Sequence, residues 1–202
     1  MRFSFARLLL YLLMTIAAVI FLMPVAWMLV MSILPEHEIF QPVPHWIPQE
    51  PTLQNFQELF KRAEEAPVMR WFWNSLFVAG TGTLAYLLLS SMAAYAFSRL
   101  EFPGRNVLFF IVLSTLIIPG QVTIIPVFLI LQKLHWFNTY YALIVPGLAG
   151  AFGVFLLRQF FLTIPREMEE AALIDGCSRA GIYWRIILPL SKPALATLAL
   201  FS

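Results

Sequence analysis

The stretch Trp71 to Ser98, WFWNSLFVAGTGTLAYLLLSSMAAYAFS, has 28 residues and contains no Asp, Glu, Lys or Arg. A helix needs about 20 apolar residues to cross the roughly 30 Å hydrocarbon core of a bilayer, so this stretch is long enough to span it. A backbone in lipid must satisfy its own hydrogen bonds, and the stretch lacks the alternation of polar and apolar residues found in barrel strands. It therefore predicts a transmembrane helix.

Three further uncharged runs of similar length lie elsewhere in the chain. They are Leu8 to Leu34, Asn106 to Gln132 and Leu134 to Leu157. Of the 202 residues, 60% are hydrophobic and only 12% are charged, with a mean hydropathy of +0.80. A soluble domain is about a quarter charged, so the composition excludes an ordinary soluble protein. The predicted fold class is an all-α integral membrane bundle.

The last uncharged run is short. Pro193 to Ser202 has 10 residues, which at about 1.5 Å per residue reach roughly half-way across a bilayer. We therefore expect four complete transmembrane helices and a partial fifth, as in a fragment or a chain with an incomplete last helix. The predicted order is an N-terminal segment (1–7), first span (8–34), loop (35–70), second span (71–98), loop (99–105), third span (106–132), fourth span (133–157), loop (158–192) and partial fifth span (193–202).

The first run is about twice as long as the apolar part of a signal peptide, and no small-residue cleavage site follows it. We expect a retained span.

Nine of the thirteen Lys and Arg residues lie in segments 1–7, 99–105 and 158–192, so the positive-inside rule places these segments and the N-terminus in the cytoplasm. The loop 35–70 then lies outside, and its six prolines favour an extended strap over a packed domain.

Several function classes are disfavoured. The runs contain no Asp, Glu, Lys or Arg, whereas proton- or sodium-driven carriers usually hold ionisable groups at the membrane midplane, so ion coupling is not expected. The histidines His37, His45 and His135 are scattered, and Cys177 is the single cysteine, so neither a metal site nor an internal disulfide is expected. The sequence contains no nucleophile elbow, phosphate loop or dinucleotide fingerprint, so we expect no catalytic site and no cofactor in this chain.

The uncharged runs also contain small residues and residues that break helices. Ser90, Ala94 and Ser98 recur every four residues and predict a face that accepts another helix closely. The third run contains Pro119 and Gly120 and the fourth contains Pro146 and Gly147, so both spans should be broken near their middles. Two interpretations of the nearby polar and small residues stay open: a polar pathway, or kinks kept for packing with an amide bonded to a freed carbonyl. The candidate pathway residues are Asn74, Gln121, Thr123, Gly147 and Gly150.

The segment Arg158 to Lys192 is predicted to form two short helices. Three glutamates follow Pro165, which places negative charge near the positive end of a helix dipole. Gly176 can supply the left-handed conformation that ends this helix. Ser178 can cap a second helix that continues to Pro189.

The same segment carries a defined motif. It consists of Glu170, Ala171, Ala172, three residues, Gly176, nine residues, Ile186, one residue, Leu188 and Pro189. This pattern resembles, at every defined position, the EAA loop of ATP-binding-cassette importer permeases. Without the family pattern, a short helix at the membrane interface would be an equal alternative.

The resemblance covers nearly the whole chain from Leu8. Residues 24–40, 45–60, 74–106 and 118–161 are similar to carbohydrate permeases of the maltose and glycerol-phosphate type, and in particular to the smaller permease subunit. That family implies the type I importer fold with six spans, so the remainder of the fifth span and the sixth are absent from this sequence.

The resemblance also implies partners and roles. In such importers the loop helix docks into a groove of a cytoplasmic ATPase dimer, which binds ATP and Mg, and the permease pairs with a second permease subunit. An external solute-binding protein delivers a sugar or polyol, no nucleic acid is involved, and the complex lies in the inner or cell membrane of a bacterium or archaeon. The implied coupling residues are Glu170, Ala171, Ala172, Leu173, Ile174, Asp175, Gly176, Ile186, Leu188 and Pro189.

Two other hypotheses remain. The chain could be a nonfunctional remnant of a permease, or it could be a membrane carrier that does not depend on ATP. The uncharged runs and the EAA pattern argue against the second.

Overall fold

The computed structural model describes residues 5–40, 46–62 and 64–202, with the side chains described from Arg7 onward. The described residues form helices joined by turns and contain no strand. The chain divides into two compact units, Met1–Phe72 and Trp73–Ser202. The α-helices are α1 (Phe5–Ser32), α2 (Glu36–Ile39), α3 (Gln54–Lys61), α4 (Val68–Arg99), α5 (Arg105–Ser114), α6 (Gly120–Lys133), α7 (Tyr140–Ile144), α8 (Ala151–Thr163), α9 (Glu167–Ile174), α10 (Arg179–Ile182), α11 (Leu188–Leu190) and α12 (Lys192–Phe201).

In the first unit, the loop after α1 folds back on the end of that helix. The Asn55 side-chain amide donates to the carbonyl oxygens of Ser32 at 3.1 Å and Leu34 at 2.8 Å. The carboxylate of Glu38, which is 2% exposed, accepts hydrogen bonds from the backbone N–H groups of Gln49 and Glu50. The Asn55 bonds satisfy carbonyls at and just after the helix end, and the Glu38 bonds satisfy N–H groups of the loop. The described part of the loop is therefore tied down rather than extended, while Pro42, Pro44 and His45 lie outside the described residues.

The core of the second unit forms around α4. Ala94 and Tyr95 of α4 pack with Leu157 and Phe161 of α8, and residues of α9, α10 and α12 complete the cluster. The predicted small-residue face is confirmed, because Ser90, Ala94 and Ser98 are each at most 2% exposed. Small side chains let the neighbouring helices approach the backbone of α4 closely.

Both predicted helix breaks are confirmed, one of them at a shifted position. A 3₁₀ turn extends α5 to Ile117, and α6 then departs at 100° after Pro119. A second 3₁₀ turn, Val145–Leu148, extends α7, and α8 departs at 44° after Gly150. The second break lies a few residues beyond Pro146, because Pro146 occupies the first turn of the 3₁₀ helix, where its missing N–H costs nothing.

Two predicted segment limits differ from the observed helices. The fourth span was expected over 133–157, whereas the helical residues run from Tyr140 to Thr163. The chain between α6 and α7 turns through the left-handed residues His135 and Asn138, which carry no charge to reveal a loop. The second helix of segment 158–192 is predicted to end at Pro189, but it continues to Leu190 through a π-helical stretch, so Pro189 lies in its last turn.

The described helices fit a membrane bundle. Two of them, Arg7–Ser32 and Val68–Arg99, are long and apolar enough to cross a bilayer singly. Three bent pairs pass the same test of length and composition, which gives up to five spans if each pair is counted as one. The last of these pairs, Arg179–Leu190 with Lys192–Phe201, begins inside the segment 158–192 that is predicted to be a loop, so the number of spans stays a prediction. The fold is an all-α integral membrane architecture.

Candidate functional site

The helix α9 forms as the sequence predicts. Its first turn carries Glu167, Glu169 and Glu170, whose charge is favourable beside the positive end of the helix dipole. Its end is a Schellman turn: the N–H of Cys177 donates to the carbonyl of Ala172 at 2.8 Å, and the N–H of Gly176 donates to Leu173 at 3.1 Å. Gly176 has a φ of +81°. A glycine adopts this angle without the steric cost that a Cβ brings.

A second helix begins directly after this turn. Ser178 lies in an extended conformation, and its hydroxyl accepts a hydrogen bond from the backbone N–H of Gly181 at 3.1 Å, as predicted for an N-cap. The helix continues through the π-helical residues Tyr183–Ile187. Ile182, Tyr183 and Ile187 are buried in the core of the second unit. The turn at Gly176 thus joins α9 to a helix that is anchored in the membrane bundle.

The two faces of α9 have different environments. Glu169 and Ala172 are buried against the bundle, 5% and 8% exposed. Glu170, Ala171 and Ile174 are exposed, and Ile174 is 87% exposed, although it is a large apolar side chain. An exposed apolar residue on a short helix outside the apolar spans is a surface suited to a partner.

The remaining coupling candidates divide between surface and core. Leu173, Asp175, Gly176 and Pro189 are exposed. Ile186 and Leu188 are partly buried and pack against the hydrophobic core, so they hold the second helix in place.

An ion pair that the sequence did not suggest lies behind α9. Arg99 Nη1 is 2.9 Å from Glu169 Oε1, and both side chains are almost completely buried. A cavity of about 500 Å³ beside the pair is lined by charged residues of both signs, including Arg166 and Arg179. In the sequence, Arg99 is a basic residue at the end of an apolar run. The only sign of its structural role is this position at the end of α4, which a solvated arginine would also occupy.

The five pathway candidates do not form one cluster of contacts. Asn74 Oδ1 accepts a hydrogen bond from the Tyr140 hydroxyl at 2.8 Å. Gln121 and Thr123 lie exposed in the first turn of α6, and the Thr123 hydroxyl donates to the carbonyl of Gly120.

The glycine candidates lie at the break before α8. The side chain of Tyr86 packs against Gly150, where an added Cβ would lie 2.5 Å from the ring, whereas nothing lies within 4 Å of such an atom at Gly147. Gly150 also lines a largely apolar cavity of about 350 Å³ together with Ser90 and Thr115. Among the described residues, no group of three or more His, Cys, Asp or Glu side chains is placed to hold a metal ion.

These features fit one class of protein. A helical membrane bundle with broken spans and a short helix that presents one face outward fits a transport permease. Residues 86–202 match the family described as "Binding-protein-dependent transport system inner membrane component". Because this match covers more than half of the chain, the chain belongs to that family.

Individual relatives agree with this assignment. The chain is 40% identical over 153 residues to the arabinooligosaccharides transport system permease protein AraQ of Halalkalibacterium halodurans. The aligned region covers 76% of this chain and 54% of that protein. It is 33% identical over 191 residues to the sn-glycerol-3-phosphate transport system permease protein UgpE of Yersinia enterocolitica, covering 93% of this chain and 68% of that protein. The chain spans 44% to 64% of the length of three curated relatives.

A solved structure has the same fold. It is titled "Crystal structure of a bacterial ABC transporter involved in the import of the acidic polysaccharide alginate". The match has a TM-score of 0.78 at 27% identity, and it covers 98% of this chain and 71% of that chain. The predicted fold class and family are thereby confirmed.

Proposed function

We propose that this chain is one transmembrane subunit of a binding-protein-dependent importer that moves a sugar or related polyol inward. A partner ATPase dimer, which binds ATP and Mg, drives the cycle, and a second permease subunit completes the pathway. The observation that carries the proposal is the outward face of α9, where Ile174 is 87% exposed while Ala172, on the opposite face, is buried in the bundle. Such a helix can enter a groove of a partner without disturbing its own attachment.

The coupling residues would act in two groups. Glu170, Ala171 and Ile174 would contact the ATPase, since they share the exposed face. Ile186 and Leu188 would anchor the following helix, because both pack against the core. A force on α9 would then reach the spans through a firmly held segment.

The proposed orientation follows from the charge distribution. The N-terminus and segment 158–192 would be cytoplasmic, and loop 35–70 would be outside, where it can meet the solute-binding protein. In this orientation α9 faces the compartment that contains ATP.

The solute class is supported by the relatives and by the spans. One relative is named for arabinooligosaccharides and the solved structure is titled for alginate import. The uncharged runs favour an uncharged sugar or polyol, unlike the acidic alginate of that title, because its hydroxyl groups can pair with amides, hydroxyls and aromatic faces. The pathway would include Gln121, Thr123, Gly147 and Gly150. Asn74, near the start of α4 and beside Tyr140, would also belong to it.

Reconstitution into vesicles tests the proposal. The chain is expressed with its second permease, ATPase and solute-binding protein, and uptake of labelled arabinooligosaccharides, alginate oligosaccharides and glycerol 3-phosphate is measured with and without ATP. We expect ATP-dependent uptake of a carbohydrate. Uptake that proceeds equally without ATP would favour the ATP-independent carrier, and an assembled complex with no uptake of any solute would favour the remnant.

A matched pair of substitutions tests the docking face. Ile174→Ser should reduce co-purification of the ATPase and uptake together. Ile47→Ser is the control, because Ile47 is similarly exposed, at 82%, but lies in the loop proposed to be external. Equal loss of the ATPase in both variants would contradict the proposed docking face.

A further inference from the structure

Arg99 connects three helices through one side chain. It is the last residue of α4, and its Nη1 lies 2.9 Å from Glu169 Oε1 on α9. Its Nη2 donates to the carbonyl oxygen of Phe161 in the last turn of α8 and, at 2.6 Å, to that of Ile164 directly after α8. These carbonyls belong to a helix C-terminus, where a positive charge is favourable. The end of α4, the end of α8 and the start of α9 are therefore held at one point.

Stability alone does not explain this arrangement. The Arg99 and Glu169 side chains are 3% and 6% exposed. Taking two charges out of water is costly, and apolar side chains of similar volume often stabilise a fold equally well. The guanidinium instead donates hydrogen bonds to two carbonyl oxygens, which fix direction and distance more strictly than apolar contacts do, and it attracts the Glu169 carboxylate.

The pair lies on the inward face of α9, opposite the proposed docking face. Glu169 is buried one residue before Glu170, which is exposed. Neither Arg99 nor Glu169 is among the defined positions of the EAA pattern. The outward face can thus contact a partner while the inward face stays attached to α4 and α8.

We propose that Arg99 is a positioning residue for transport, which makes α9 and the adjoining ends of α4 and α8 move as one body. A displacement of α9 by the ATPase then passes directly to two spans through the Arg99–Glu169 pair, instead of being absorbed by local tilting of α9. This inference rests on the proposed function and adds the residue pair that transmits the motion.

The test replaces Arg99 and Glu169 with apolar side chains, which keeps the packing and removes the ion pair. Arg99→Met combined with Glu169→Leu leaves no buried unpaired charge, so the fold should be retained. The control is Glu167→Gln, which alters an exposed glutamate of the same helix. In reconstituted complexes with the same solutes, we measure ATPase co-purification and the amount of solute imported per ATP hydrolysed.

We expect the double variant to retain the ATPase and to hydrolyse ATP, but to import roughly fivefold less solute per ATP, or lower still, which is the range of typical coupling between sites. The control should match the wild type. An unchanged ratio in the double variant, with ATP-driven uptake by the wild type, overturns this inference and leaves the proposed function intact. Absence of ATP-driven uptake by the wild type overturns both.

A distance measurement tests the same inference without disturbing the pair. Spin labels are placed at Met92 of α4 and Glu167 of α9, both exposed, in a Cys177→Ser background. We expect the distance between the labels to be the same with and without ATP in the assembled complex. A shift larger than ~2 Å, the size of an ordinary helix displacement, overturns the inference even if the double variant does not fold.

Discussion

The phenol oxygen of Tyr86 accepts a hydrogen bond from the backbone N–H of Gly153 at 2.9 Å. This contact joins α4 to the first turn of α8, whose N–H groups have no partner within the helix. Gly153 also lies so close to α4 that an added Cβ would be 2.6 Å from the Tyr86 hydroxyl and 2.7 Å from the Ser90 hydroxyl. The start of α8 is therefore both capped and closely packed by α4.

Replacement of this glycine should destabilise the bundle. In Gly153→Ala, the new methyl group would force Tyr86 to move and to lose its hydrogen bond, at a cost of roughly 1–3 kcal/mol for overpacking. Thermal unfolding in detergent should show a lower midpoint. Gly147→Ala is the control, since nothing lies within 4 Å of a Cβ at that position, and equal midpoints for the two variants would contradict the close packing.

The hydrogen bond between Tyr140 and Asn74 should hold α7 against α4, in addition to the pathway role proposed for Asn74. The bond is 2.8 Å long. In a double-mutant cycle of Asn74→Ala and Tyr140→Phe we expect coupling of about 0.6 kcal/mol, the average for hydrogen bonds between helices in a membrane protein. The Tyr140 ring still packs on Phe77 in the Phe variant. If Asn74 instead serves the pathway alone, Asn74→Ala will change uptake while Tyr140→Phe leaves it unaltered.

The turn at Gly176 should be sensitive to backbone conformation but not to side-chain size. No atom lies within 4 Å of a Cβ at Gly176, yet its φ is +81°, so a substituted residue costs ~1–2 kcal/mol through strain. Asn tolerates this region better than a β-branched residue, so uptake should fall more in Gly176→Val than in Gly176→Asn. Gly120→Ala is the control, with equally open space and no left-handed φ; wild-type uptake by Gly176→Val would refute the strain argument.

The proposed orientation makes a labelling prediction. In a Cys177→Ser background, a membrane-impermeant thiol reagent should label Ile47→Cys in intact cells and Ile174→Cys only in inside-out vesicles, both in the absence of the ATPase. Each position is exposed, at 82% and 87%, so access depends on the side of the membrane. Labelling of Ile174→Cys in intact cells, and of Ile47→Cys only in inside-out vesicles, would show that the orientation is the opposite of the proposed one.

Local features were predictable from the sequence because they depend on residues that are neighbours in the chain. The uncharged runs predicted spans, Pro119 predicted a break, and Ser178 predicted a helix cap, since each effect acts within a few residues. The four-residue spacing of Ser90 and Ser98 predicted a close-packed face for the same reason. The start of the fourth helical segment was missed, because the turn at residues 134–139 contains no Asp, Glu, Lys or Arg, and the limits of the runs were set by charged residues.

The sequence by itself determined the membrane class, the helical content, the family and the helix–turn–helix of segment 158–192. The tertiary structure alone decided which side chains meet: Tyr86 with Gly153, Tyr140 with Asn74, and Arg99 with Glu169, each separated by dozens of residues. In a membrane, lipid-facing and core-facing positions are both apolar, so the pattern of hydrophobic residues does not reveal which faces pack together. An arginine at the end of a span looks the same in the sequence whether it is solvated or, like Arg99, joins three helices.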